Sequence, residues 1–201
     1  LLFIAVILVS LMVGCTRNTE AVTDHIDLVP ETANMIGHVE LSQIIGDDDI
    51  AEIYTALPKE EGDPQTIEEA LAKVMDMSNL DLKDFEEAWI FSDISQATED
   101  ENYSGAILKG TFEEGSLLAS MESAIGEGFA GIDYLGHTIY TGSGQQTGLA
   151  VLTSDLLVTG SVPAIKDVIA VSQGNMPAVD GDLLTTYDGL GRALVKVATA
   201  M

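Results

Sequence analysis

His25, His38 and His137 are the three imidazoles of a 201-residue chain that carries 33 acidic side chains. Imidazole set beside carboxylate can ligate a transition metal or move a proton. The segment Met35-Ile36-Gly37-His38-Val39-Glu40-Leu41 alternates as a strand does. It puts Ile36, His38 and Glu40 on one face and Met35, Gly37, Val39 and Leu41 on the other. His38 and Glu40 could thus be half of a metal site. The sequence places no third ligand, so a polar sheet face is the simpler expectation. Asp180-Gly181-Asp182 could help ligate calcium, but a loop and a helix N-cap explain it more simply. Asp47-Asp48-Asp49 are consecutive, whereas calcium loops space their ligands at alternate positions; they read as a helix start. No G-x-S-x-G, H-E-x-x-H, Walker or strand-borne G-x-G-x-x-G signature is present. Gly142-Ser143-Gly144 reads as a flexible turn. Carboxylate pairs are uninformative in so acidic a chain. The expectation is a protein with no catalytic, cofactor-binding or metal residue, hence no enzyme.

The one cysteine is the exception. Cys15 closes the run LLFIAVILVSLMVGC, in which only Ser10 among the first 13 residues is polar. An apolar stretch followed by small residues is what signal peptidases read. Met12-Val13-Gly14-Cys15 resembles the lipobox of bacterial and archaeal lipoprotein signals, which implies that Cys15 is lipidated and becomes the mature N-terminus. A transmembrane helix needs about 20 apolar residues, and 14 precede Cys15. A longer upstream apolar run would revive the membrane-helix reading. One acyl chain holds a protein weakly and two hold it stably. Residues 1–14 are then a signal peptide, and residues 15–27 the lipidated N-terminus and a short polar tether.

Charge bounds the partners. Eight basic residues against 33 acidic ones give a net charge of -25. Nucleic acid is excluded because phosphate binding needs a basic face, and direct docking on anionic lipid is disfavoured. A solvated acidic surface explains the charge more simply than cation capture does. No cysteine remains for an internal disulfide, which is compatible with an exported prokaryotic protein.

The elements follow from periodicity. A strand over 35–41 leads to a helix opened by Asp47-Asp48-Asp49, with Ile50, Ile53, Tyr54 and Leu57 spaced helically and Pro58 as its stop. Thr66-Ile67-Glu68-Glu69 is a capping box; Ile67, Leu71, Val74 and Met75 or Met77 would face inward. A short turn or helix at 81–85 precedes a strand over 88–94. It pairs as a hairpin with a strand over 103–110, across an acidic loop at 96–102. Residues 113–125 form a helix with Leu117, Leu118, Met121 and Ile125 buried. Strands over 132–134 and 138–141 flank Leu135-Gly136-His137, and strands over 147–153 and 156–161 flank Ser154-Asp155. Ser161 and Pro163 start a helix that packs Ile165, Val168 and Ile169 and ends at Gly174. A short helix over 183–187 and a strand over 193–198 close the chain. This order predicts an α+β fold, a mostly antiparallel sheet with helices packed on one face, over residues 28–190. Residues 191–201 form the last strand. With 183–199 loosely echoing the opening segment, that strand would begin a truncated second module.

Val29-Pro30-Glu31-Thr32-Ala33 before a strand, Ile107-Leu108-Lys109-Gly110-Thr111-Phe112 before a helix, Tyr134–Tyr140 and Gly148–Lys166 together resemble a family of uncharacterised prokaryotic secreted or lipid-anchored envelope proteins. The resemblance implies fold and location and carries no site residues. The resulting expectation is an extracytoplasmic lipoprotein of the cell membrane or outer membrane. It would act as a scaffold or protein-binding module, partnered by the membrane through its anchor and by another envelope protein. Solute or cation binding is the alternative.

Overall fold

Strands β1 (Met35–Val39), β2 (Phe85–Ser92) and β3 (Ser104–Gly110) form the middle of one antiparallel sheet with β4 (Ala130–Tyr134), β5 (His137–Thr141), β6 (Thr147–Val151), β7 (Leu156–Ser161) and β8 (Val195–Thr199). The structure is a computed structural model that describes residues 25–59, 62–78, 81–96, 103–125, 130–142, 146–191 and 193–200. The strand order is β4-β5-β6-β7-β3-β2-β1-β8. Every pairing is antiparallel. The final strand β8 lies in this same sheet, beside β1.

Among the described residues six α-helices accompany the sheet: α1 (Leu41–Ile45), α2 (Asp48–Ala56), α3 (Ile67–Ser78), α4 (Glu114–Ile125), α5 (Val162–Ser172) and α6 (Gly181–Gly189). The α+β class is as the sequence reads. The placement of the helices is wider than one face. On the first face α5, α6 and the 3-10 turn His25–Leu28 pack on Ile36, Trp89, Phe91, Ile107, Ile139 and Val158. On the second, Leu41 and Ile44 of α1 and Leu117 of α4 join Val39, Ala88, Leu108, Leu149 and Leu157. The sequence permits this because central strands carry apolar residues on both faces, as Trp89-Ile90-Phe91 and Leu156-Leu157-Val158 do. Full burial of such a side chain contributes about 1.5–3 kcal/mol, and Trp89, Phe91, Ile107 and Leu157 are fully buried.

Local chemistry sets the helix ends. The Asp47 carboxylate accepts from Asp49 and Ile50 backbone N–H groups at 3.0 and 3.2 Å, so it caps α2 as the triple-Asp reading expects. Tyr54 is buried there, while Ile53 is exposed. The Thr66 hydroxyl accepts from Glu69 N–H, but the Glu69 carboxylate accepts from Gln65 N–H rather than completing the expected box at Thr66. Ile67 is buried and Met75 exposed; the side chains of Val74, Met77, Met121 and Ile125 are outside the described set. Helix α5 buries Ile165, Val168 and Ile169. Helix α1 is an addition: Leu41, assigned by alternation to the strand, starts a helix instead. The turn between β4 and β5 is the two residues Leu135-Gly136, with His137 already paired to Tyr134. Ile26 is buried, so the folded body begins within the stretch expected as tether.

Candidate functional site

The site is built on register. His38 on β1 faces Trp89 on β2 and Lys196 on β8 across the ladder, so all three project from the first face. The His38 ring stacks on Trp89, with centroids 4.6 Å apart, and His25 meets the same indole edge-on at 5.3 Å. Strand β2 carries a register shift between Phe85 and Glu87. The bulge turns Phe85 into the second core cluster while leaving Glu87 on the Trp89 side, opposite Lys109.

Glu87 is the residue that closes the cluster. Its Oε2 is 3.4 Å from His38 Nε2, and its Oε1 is 3.4 Å from the Lys109 ammonium. Lys109 also lies 3.5 Å from Glu86 Oε2. Glu40 follows β1, donates its backbone N–H to Leu194 O at 2.8 Å, and holds the N-cap position of α1. Ligand atoms of His38, Glu40 and Glu87 all lie within 4.8 Å of one another. His38 is 5% exposed and Glu87 4%; Glu40 is half-buried. The His38 Nδ1 atom has no hydrogen-bond partner among the described residues.

The two carboxyls are driven in opposite directions. Burial raises Glu40 above the ordinary carboxylate value; His38 offsets part of this, and the nearby Glu87 charge adds to it. Burial also acts to raise Glu87, but the His38 hydrogen bond and the Lys109 ammonium outweigh it and hold that carboxyl below its ordinary value. Split acidities can mark an acid–base pair. Here His38 and Glu87 are both almost wholly buried, and Glu40 is the half-buried member.

The other sequence candidates separate from this cluster. Cys15 lies outside the described residues, as do Ser143 and Gly144. His137 Nδ1 is 3.1 Å from Val151 O on the far hairpin. Asp180 occupies the N-cap position of α6 without a side-chain capping hydrogen bond, and Asp182 lies in its first turn. Glu87, Lys109 and Lys196 are the members that sequence reasoning missed. A pair of acids, Glu86-Glu87, directly before the apolar run of β2 was the available signal. A second polar cluster, the Tyr103 hydroxyl donating to Asp167 Oδ2 at 2.9 Å with Thr32 Oγ1 at 3.2 Å, ties β3 to α5. Burial raises the Tyr103 phenol above its ordinary value, so it stays neutral as a donor.

Among the described residues these features define an α+β protein with an eight-stranded antiparallel sheet, helices on both faces and a His–Glu–Glu cluster in which His38 and Glu87 are buried and Glu40 half-buried. Among solved structures the chain is similar to TP0453. Its crystal form III superposes with a TM-score of 0.50 at 11% identity, covering 89% of this chain and 64% of that one. Form IV gives 0.47 at 10% identity, covering 87% and 63%. The form III likeness concerns the fold alone, and this chain spans less than two thirds of that protein. No protein-family model and no curated protein matches the chain.

Proposed function

We propose that the chain is an extracytoplasmic lipoprotein, anchored through Cys15, whose folded body serves as a non-enzymatic scaffold or protein-binding module of the cell envelope. The observation that carries this reading is the apolar run Leu1–Val13 ending in Gly14-Cys15, with polar Thr16-Arg17-Asn18-Thr19-Glu20 directly after it. Two acyl chains on one sulfur suffice for stable anchorage. The chain's net charge of -25 disfavours docking on anionic headgroups, which leaves the body, held near the membrane by its short tether, free to meet another protein. Among the described residues no helix is long and apolar enough to cross a membrane. The resemblance to envelope proteins carried by Val29–Ala33 and Ile107–Phe112 supports the same location.

Substituting Cys15→Ala is expected to block processing or to release the protein from the membrane fraction. Mass spectrometry of the native polypeptide should find a diacylglyceryl group on the Cys15 sulfur and no residue before it. Unchanged membrane retention of the variant, or an unmodified sulfur with the apolar leader attached, would overturn the anchor. Crosslinking in intact cells followed by capture from solubilised membranes then tests the partner half of the proposal. Recovery of the protein free of any stoichiometric protein partner refutes that half.

A further inference from the structure

We propose that His38, Glu40 and Glu87 together bind one divalent transition-metal ion of the zinc class. This goes beyond the anchored-scaffold reading and rests on different residues. Three observations carry it.

The first is spacing. Metal–nitrogen and metal–oxygen bonds of about 2.0–2.2 Å set the edge of a coordination tetrahedron near 3.4 Å, an order-of-magnitude guide. His38 Nε2 and Glu87 Oε2 already stand 3.4 Å apart. The remaining separations, 4.8 Å at most, close with about 1 Å of side-chain movement on that same guide. A direct charge-assisted hydrogen bond would instead draw such atoms to about 2.7–2.9 Å. The His38–Glu87 contact is looser than a committed ion pair.

The second is the histidine itself. A 5%-exposed imidazole normally satisfies both nitrogens. His38 uses one toward Glu87, and the other is without a hydrogen-bond partner among the described residues. The one hydrogen bond the described residues offer this ring is therefore the loose 3.4 Å contact at Nε2, and that is the nitrogen a metal would take in its place.

The third is charge. Among the described residues the three carboxylates of Glu40, Glu86 and Glu87 lie near two ammonium groups, those of Lys109 and Lys196, so acidic groups outnumber basic ones there. A divalent cation corrects that imbalance. One imidazole with two carboxylates favours zinc, cobalt or iron over calcium and magnesium, which prefer all-oxygen shells. Three protein ligands leave a position for water, and the half-buried Glu40 is the member nearest solvent.

The test uses the full chain in detergent, carrying Cys15→Ser so that no free thiol competes. Zinc is titrated in high salt, where diffuse attraction to the acidic surface is screened. Cobalt(II) serves as the optical probe. We expect one ion per chain, a visible d–d absorption from cobalt, displacement of cobalt by zinc, and little competition from calcium. Glu40→Gln and Glu87→Gln should each weaken zinc at least about tenfold. Glu40→Gln is the safer variant, because the residue is half-buried and its loss leaves Glu87 paired with His38 and Lys109. An unchanged affinity in folded Glu40→Gln protein overturns the proposal. So does the lack of a salt-resistant site, or calcium binding as tight as zinc. Lipidation plays no part in this readout, so its failure leaves the anchor standing, and the converse also holds.

Discussion

Two glycines with positive φ separate backbone need from spatial need. Gly174 ends α5 at φ 70°, with open space where a side chain would project. Its N–H donates to Val171 O and that of Asn175 to Ala170 O, at 2.9 and 2.8 Å. This is the paired bonding of a Schellman end. Gly160 on β7 sits at φ 145°, and a Cβ there would run into the Ser104 backbone oxygen and the Gly105 Cα. Gly174→Ala should therefore cost about 1 kcal/mol, the price of a left-handed alanine alone. Gly160→Ala should cost about 2–4 kcal/mol, because strain and overpacking add. Urea midpoints at unchanged slope measure both. Equal losses would mean that the β3–β7 approach yields easily.

At the scale of elements, helix α4 tests how much a single cap contributes. The Glu113 carboxylate accepts from the backbone N–H groups of Gly115 and Ser116 at 3.2 and 2.6 Å. The hydrogen bonds with Ser116, then Gly115, hold its acidity below the ordinary Glu value. A carboxyl lowered in the folded state stabilises above its unfolded pKa and loses that contribution as pH falls through the folded one. The stability difference between wild type and Glu113→Gln should therefore be present at neutral pH and shrink to nothing in acid. Paired urea melts across pH check it; a difference constant with pH refutes the cap. Elements of this kind were legible because cap, periodicity and stop coincide in sequence, as at Asp47 and at Ser161 with Gly174. Helix α1 was not, since five residues give no period and Leu41 continues the strand alternation. The two-faced helix layer was hidden for a related reason. A run such as Ile107-Leu108 marks a strand with two apolar faces, but a local pattern does not say which helix covers the second. Half of the candidate site, His38 with Glu40, follows from alternation alone. Glu87 needs the β1–β2 register and the bulge at Glu86, neither of which a local pattern encodes.

On the scale of the whole molecule, 33 acidic groups against 8 basic ones should make the fold repel itself. Pairing offsets little of this: Lys109 serves both Glu86 and Glu87, and such partly exposed pairs contribute about 0–1 kcal/mol. The Debye length shrinks from about 30 Å at 0.01 M salt to about 8 Å at 0.15 M, so most of the long-range repulsion is removed within that window. The melting temperature should rise with sodium chloride across it and then level off. Choline chloride should act equally well, because screening depends on ionic strength and not on which cation supplies it. A rise with sodium but not choline would mean that the surface captures cations at defined places, and a fall with either salt would mean that local ion pairs outweigh the global repulsion. Zinc at His38, Glu40 and Glu87 should stabilise further after the salt effect has saturated, since a coordinated ion is held by bonds that screening does not reach.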